Sequence, residues 1–356
     1  MSNLIETELQ NIAQFYNGKS TKLSEHGLYD VYGANGVIGK SDEAKYENSI
    51  IIGRVGAYCG AVTYCENKFN ASDNTIIATN KGDCKNIKFL YYLLKFINLN
   101  KYAGGAAQPL LTQSVLNTVK VLFNDNKDVQ DKIAKILSNY DDLIENNNKR
   151  IKILEEMAQK IYKEWFVDFK YPSHEEGKFA EIELGKLVMP KKGKNITKAT
   201  IRKGSVPVVA GGLEPAYYHN VANTASPVIT VSASGANAGY VKLYYEDIWA
   251  SDCSYIDSKI TPYVYYFYSY LKYNQIKVTN LQKGAAQPHV YPQDLASLKL
   301  FDIDAEIVKQ FNVLVTPTFE EIKNITSKNT ILRQTRDLLL PRLMSGEISV
   351  ENLEIS

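Results

Sequence analysis

The pentapeptide Gly-Ala-Ala-Gln-Pro occurs twice in this chain, starting at Gly105 and at Gly284, and each copy runs into an apolar stretch. The stretches are "GGAAQPLLTQSVLNTVKVLF" (Gly104–Phe123) and "KGAAQPHVYPQDLASLKLFD" (Lys283–Asp302). Other segments repeat in the same order. "ELQNIAQFYNGK" from Glu8 resembles "ELGKLVMPKKGK" from Glu183, and "VYGANG" from Val31 falls opposite "VVAGGL" from Val208. "IIGRVGAYCGAV" from Ile51 matches "TVSASGANAGYV" from Thr230, with Gly56 over Gly235 and Gly60 over Gly239. "ASDN" from Ala71 matches "ASDC" from Ala250. The offset drifts only between about 175 and 179 positions. Solenoid repeats run to about 20–50 residues, so this is one domain-sized unit used twice.

Within each unit the local signals agree. "SIIIGRV" and "SPVITVSA" read as strands, and the Gly-rich links "GANGVIG" and "AGG" read as turns. A helical stretch follows, "NIKFLYYLLKFINLN" in the first copy and "PYVYYFYSYLKYN" in the second. The pentapeptide then reads as a turn leading into a final strand. Each unit is therefore expected to be an α+β domain.

The segment after each unit changes character. Ile133, Leu137, Tyr140, Ile144, Asn147, Ile151, Leu154, Ala158, Ile161 and Trp165 recur at alternating steps of four and three, with no glycine or proline between Asp128 and Phe166. Such a seam predicts a long coiled-coil helix. The second copy repeats it at Phe311, Val315, Thr318, Ile322, Ile325, Asn329, Leu332, Arg336, Leu339 and Leu343. Thr316-Pro317 reads as the start of that helix, after a shorter one, or as a kink within it. An antiparallel pairing with full overlap sets position 133 against 343 and 165 against 311. It also sets Asn147 against Asn329, where two buried amides would fix the register, and Tyr140 against Arg336. The seam spans roughly 50 Å at about 1.5 Å per residue. Each globular unit precedes its own helix, so this pairing puts the units at opposite ends of a rod, related by a pseudo-two-fold axis. Roughly 50 Å of duplex DNA is about 15 base pairs, enough for two half-sites about one turn apart.

Composition narrows the field. The chain has 356 residues, 45% hydrophobic, and a net charge of +2, so a sizeable core is available and any basic surface is local. The N-terminal "MSNLIETELQ" carries no secretory-signal pattern, and no apolar run is long enough for a membrane span. Cys59, Cys65, Cys84 and Cys253 form no C-x-x-C, and the four histidines lie far apart. Reduced cysteines, no metal and a cytoplasmic setting are expected. "NGKST" and "IGKS" lack the earlier glycine a phosphate loop needs, because Ala13 and Ala34 stand there. "SASG" does not meet the G-x-S-x-G pattern, and no Asn-Pro-Pro-Tyr tetrapeptide of amino-methyltransferases is present.

"NNNKRIKILEEMAQKIYKEWFVDFKYP" (Asn146–Pro172) and "LRQTRDLLLPRLMSGEI" (Leu332–Ile348) resemble the central and C-terminal conserved regions of the specificity (S) subunit of type I restriction-modification enzymes. The two pentapeptide stretches resemble the end of that family's target-recognition domains. The resemblance covers nearly the whole chain, and "WFVDF" and "LPRLMSGEI" are its more specific parts. It implies an α+β chain with two repeated α/β target-recognition domains separated by two long helices in an antiparallel coiled coil. The implied boundaries are 1–126 for the first recognition domain, 127–170 for the central helix, 171–303 for the second domain and 304–356 for the C-terminal helix. It further implies a non-catalytic subunit, without cofactor, that reads a bipartite asymmetric sequence in double-stranded DNA. Two methyltransferase subunits would dock on the helices and restriction subunits would join. Methyl donor and ATP would belong to those partners.

Contacts with DNA divide into phosphate contacts, which position, and base contacts, which specify. "GKLVMPKKGKNITKATIRKG" (Gly185–Gly204) holds Lys186, Lys191, Lys192, Lys194, Lys198, Arg202 and Lys203 with no acidic residue. Lys19, Lys22, Lys40 and Arg54 are the weaker counterpart in the first unit. Asn35 in the first unit and Ser232, Ser234 and Asn237 in the second sit on Gly-rich loops that allow close backbone approach. Gln108 and Gln287 have the chemistry to pair with adenine, though a glutamine kept in both copies also suits a structural turn. His289 and Tyr291 stand where the first copy has Leu110 and Thr112, which suits a contact that varies between units. For every one of these residues, a solvated loop or a packing role is the plain alternative. Two other functions fit the same pattern: the recognition arm of a split type II restriction-methyltransferase, and a coiled-coil scaffold with two protein-binding lobes. A steep salt dependence of duplex binding separates DNA readers from scaffolds.

Overall fold

A computed structural model describes residues 4–105, 108–172, 179–284 and 287–354. The central alanines of both pentapeptides, Ala106, Ala107, Ala285 and Ala286, lie outside them. Contacts divide the chain into two compact units, Met1–Asn146 with Asn329–Ser356, and Asn147–Lys328.

In the first unit the strands are β1 (Leu4–Glu8), β2 (Ala13–Asn17), β3 (Tyr29–Gly33), β4 (Gly36–Ser41), β5 (Ser49–Gly53), β6 (Val62–Cys65), β7 (Phe69–Ala71), β8 (Thr75–Asn80) and β9 (Lys120–Asn124). They form a pair, β1-β9, a four-stranded sheet, β2-β8-β5-β6, and a three-stranded sheet, β4-β3-β7. The helices are α1 (Leu9–Ile12), α2 (Ile87–Phe96), α3 (Gln113–Asn117) and the first half of α4 (Lys127–Phe166). β5 (Ser-Ile-Ile-Ile-Gly) is buried throughout, as is the Thr-Ile-Ile-Ala run of β8, both rich in β-branched residues as central strands require. Phe89, Leu90, Leu93 and Leu94 of α2 close over them.

The second unit repeats this plan. Its strands are β10 (Glu181–Glu183), β11 (Lys191–Lys192), β12 (Val206–Val209), β13 (Tyr217–His219), β14 (Val228–Ser232), β15 (Val241–Tyr244), β16 (Trp249–Ala250), β17 (Cys253–Asp257) and β18 (Lys299–Phe301). They pair as β10-β18, β11-β17-β14-β15 and β13-β12-β16, strand for strand the first arrangement. The helices α5 (Leu184–Leu187), α6 (Val264–Tyr273), α7 (Gln275–Thr279) and α8 (Pro292–Ala296) precede α9 (Ala305–Met344).

The pentapeptide does not lead straight into a strand. A helical turn intervenes in both copies, because Thr112 accepts the Val115 N–H at 3.3 Å and Pro292 occupies the first turn of α8. Nor does Thr316-Pro317 start a helix. α9 begins at Ala305, where the Asp304 carboxylate accepts the Glu306 N–H at 2.7 Å, and continues through Pro317. Thr316 Oγ1 donates to the Asn312 carbonyl at 2.6 Å, one position before the Val313 carbonyl that Pro317 leaves without its helical donor. Val313 is exposed, so water can serve that carbonyl.

Every seam position is buried or half-buried. In the first unit, Ile133 and Leu137 of α4 share a core with Leu343 and Met344 of α9. In the second, Trp165 of α4 packs on Phe311 of α9, ring centroids 5.9 Å apart, and Arg150 pairs with Glu321 at 3.0 Å. Within each unit, then, the two helical segments run antiparallel. Asn329 is buried and Asn147 half-buried.

The partner of Arg336 differs from expectation. The Asp141 carboxylate, beside Tyr140, takes the guanidinium and also accepts the Tyr92 hydroxyl at 2.6 Å. Burial, together with that carboxylate, pushes the Tyr92 phenol far above its ordinary range, so it stays a donor. The pair is 17% and 29% exposed, so water screens it in part. Arg336→Ala is expected to destabilise the first unit by about 1–2 kcal/mol, less than a fully buried pair would lose. Urea unfolding checks this, and a loss restored by Asp141→Asn in the same chain would identify the stranded carboxylate as the cause.

Candidate functional site

In each unit three loops come together, two of them joined by backbone hydrogen bonds and the third lying against them. They are the link after β3 or β12, the loop after β5 or β14, and the pentapeptide loop. Gly53 N–H donates to Ala61 O at 2.8 Å, and Ser232 N–H to Tyr240 O at 3.1 Å. Gly60 N–H returns to Gly53 O, as Gly239 N–H does to Ser232 O. Gly56 N–H reaches Pro109 O at 3.1 Å, and Gly235 N–H reaches Pro288 O at 3.1 Å. Leu111 N–H donates to Arg54 O and Val290 N–H to Ala233 O. Gly104 pairs with Leu110, and Lys283 with His289.

Gly60 and Gly239 both have φ of +84°, and a Cβ on Gly60 would lie 2.4 Å from Asn100 N. Glycine is therefore required there by conformation and by space. The third loop joins the cluster in both units. A Cβ on Gly53 would meet the Ala34 carbonyl at 3.1 Å, and one on Gly211 would meet the Ser234 carbonyl at 2.8 Å.

On this shared frame the side chains differ. Arg54 occupies the place of Ala233, Leu110 that of His289 and Thr112 that of Tyr291. Arg54 is half-buried, and its Nε is buried without a hydrogen-bond partner. No ion pair forms on its guanidinium among the described residues. Asn35 is exposed on the adjoining β3–β4 turn, and Gln108 is exposed beside Pro109. In the second unit the His289 and Tyr291 rings stack, centroids 5.8 Å apart and 11° from parallel. Gln287 is exposed, while Asn237 is half-buried in a single 3-10 turn, Gly235–Asn237.

Two expected contacts are already committed elsewhere. Ser232 is buried and its hydroxyl donates to Gly211 O at 3.0 Å, so it holds the frame and does not face solvent. Ser234 donates its hydroxyl to the Asp252 carboxylate. Lys40 lies along β4 from the Asn35 turn and pairs with Asp30 at 3.1 Å. Lys19 and Lys22 are exposed before β3, away from the Arg54 loop in sequence.

The basic stretch of the second unit is a built loop. Lys191 and Lys192 form β11 on the edge of the sheet. Lys194 N–H donates to Ala250 O, and its carbonyl accepts the Trp249 indole N–H at 2.8 Å. Arg202 N–H donates to His219 Nδ1 at 3.0 Å. Lys191, Lys192, Lys194 and Arg202 are all exposed, held by their backbones with side chains in solvent.

Sequence reading missed Asp294, which is 8% exposed. One of its oxygens accepts the Tyr291 N–H at 3.0 Å and the other takes the Lys283 ammonium. Burial alone would raise this carboxyl, but the Lys283 and Tyr291 hydrogen bonds hold it below the usual carboxylate range. Proline followed two residues later by an acid, after a polar N-cap, is the weak signal that was available. Burial pushes the Cys84 and Cys253 thiols up to about 12, so both stay protonated packing groups. Among the described residues no cluster of His, Cys, Asp or Glu is placed to hold a metal, and no helix is long and apolar enough to cross a membrane.

Residues 3–156 match a family described as the type I restriction modification DNA specificity domain. The type I restriction enzyme MjaIX specificity subunit of Methanocaldococcus jannaschii is 28% identical over 303 residues, covering 75% of this chain and 70% of that one. A type I specificity subunit of Mycoplasma genitalium is 25% identical over 344 residues, covering 88% and 86%. The crystal structure of a type I restriction-modification system S subunit from M. genitalium superposes with a TM-score of 0.63 at 19% identity, over 96% of each chain, a likeness of fold.

Proposed function

We propose that this chain, a non-catalytic member of the type I restriction-modification DNA specificity subunit family, reads a two-part asymmetric duplex sequence, one half with each unit. The observation that carries the reading is the pair of three-loop clusters: one backbone frame used twice, with different side chains at matching places. A frame shared by two readers keeps the geometry of approach, and the exchanged side chains change which bases are accepted.

In the first half-site Arg54, Asn35 and Gln108 are the base-reading candidates, with Lys19, Lys22 and Lys40 toward phosphates. Arg54 presents a guanidinium with no acidic partner among the described residues, the chemistry that pairs with the O6 and N7 of guanine. In the second half-site His289, Tyr291, Gln287 and Asn237 take that role. Ser234 contributes through its bond to Asp252, and Ser232 through the frame. Lys191, Lys192, Lys194 and Arg202 face the backbone. The α4 and α9 helices offer the docking surface for methyltransferase and restriction subunits. The chain itself carries no cofactor and works in the cytoplasm, on the cell's own and incoming DNA.

Co-production with a type I methyltransferase subunit, followed by genome-wide mapping of methylated adenines, tests the reading. A motif of two unlike halves with a fixed gap is the expected result; methylation with no such motif would refute it. Replacing Lys191, Lys192 and Lys194 together with alanine should weaken binding evenly across sequences. The slope of log K against log salt should fall by about 0.9 for each phosphate contact removed. A slope unchanged in anisotropy titrations would place those lysines off the DNA.

A further inference from the structure

Asp294 ties together both ends of the loop that carries His289. Lys283 at the start donates its ammonium to one carboxylate oxygen, and Tyr291 at the end donates its N–H to the other at 3.0 Å. Between them the chain closes on itself: Lys283 N–H and His289 N–H each donate to the other's carbonyl at 2.9 Å. Val290 is fully buried and bonds to Ala233 O, so the flanking His289 and Tyr291, two positions apart in extended chain, share the opposite face. Their stacked rings are then one rigid feature. Each Asp294 oxygen thus takes one donor from this loop.

The first unit has no such device. Gly104 stands at the place of Lys283 and Val115 at the place of Asp294, leaving only the Thr112 hydroxyl to cap α3. The two recognition loops therefore share a frame but differ in how their tips are held. A loop whose ends are tied by a charge-assisted bond presents its side chains with less conformational freedom to lose on binding.

We propose that Asp294 and Lys283 form a positioning pair that holds the His289–Tyr291 ring stack for base reading in the second half-site only. Asp294 touches no base; it acts through the loop. Lys283 is assigned to the clamp because its ammonium pairs with the buried Asp294 carboxylate. The inference rests on the reading of this loop as a DNA contact.

The test selects bound duplexes from a random library, using the full chain with its methyltransferase subunits. The double variant His289→Ala with Tyr291→Ala first identifies which half of the motif the loop reads. Asp294→Ala should then relax discrimination in that same half by about tenfold, the scale of one charge-assisted hydrogen bond, and leave the other half as it was. Asp294→Glu should restore it, since glutamate at this helix position also accepts the N-cap N–H. Lys283→Met keeps the cap of α8 and should give the same half-specific relaxation, so it decides the matter if Asp294→Ala fails to assemble. Equal relaxation of both halves, or no change while the double variant alters one half, overturns the clamp. A double variant that alters neither half overturns the loop's role as a reader, and the clamp with it.

Discussion

Phe311→Ala is expected to lower the stability of the second unit by about 3–5 kcal/mol, the range for deleting a buried aromatic ring. Phe311 is fully buried where α9 meets α4 and the recognition module. Its ring lies 5.0 Å from Phe166, 5.9 Å from Trp165, 6.0 Å from Tyr162 and 6.1 Å from Tyr266. Four rigid rings cannot collapse into the space, so the cavity term is kept in full. Val313→Ala is the control. Val313 is 66% exposed on the same helix within the same unit, and its loss should cost no more than about 0.5 kcal/mol. Guanidinium unfolding followed by tryptophan fluorescence reads the difference through Trp165. A cost for Phe311→Ala below about 1 kcal/mol would show that these rings do not hold the helices to the module.

Arg54→Ala should cost about 1–3 kcal/mol of discrimination at one position of the first half-site, and little at the second. The Arg54 backbone is fixed by bonds to Asn74 O and from Leu111 N–H, so removing the side chain leaves the loop in place. Arg54→Lys should recover phosphate attraction without base choice, because an ammonium cannot make the bidentate bond of a guanidinium. Competition binding with duplexes changed one base at a time is the measurement. An even loss of affinity at every sequence would turn Arg54 into a phosphate contact.

Much of this was legible in the sequence, for local reasons. The alternation of fours and threes from Ile133 to Trp165 and from Phe311 to Leu343 announced two long helices and named their inner faces, though the start of the second stayed open. Gly60 and Gly239 matched in the repeat because both occupy a left-handed turn against a neighbouring backbone. The offset near the pentapeptide set Leu110 and Thr112 against His289 and Tyr291, while the hydrogen bonds of the fold set Arg54 against Ala233.

What went unread depended on distance through space. Proline at 317 looks like a helix boundary until packing on both sides carries α9 past it, with Thr316 supporting the turn. The residue facing Arg336 was taken from register alone as Tyr140, but a guanidinium follows charge, and Asp141 is one position along. Ser232 resembles a surface loop residue in pattern and is a buried strut in fact. Local pattern dictated the duplication, the paired helices and the matching of the loops, because periodicity and backbone conformation are written residue by residue. Tertiary structure alone decided which polar groups were already spent. Whether Asp294 meets Lys283, or Arg54 lies beside an acid, depends on where distant segments stop, and no spacing in the chain records that.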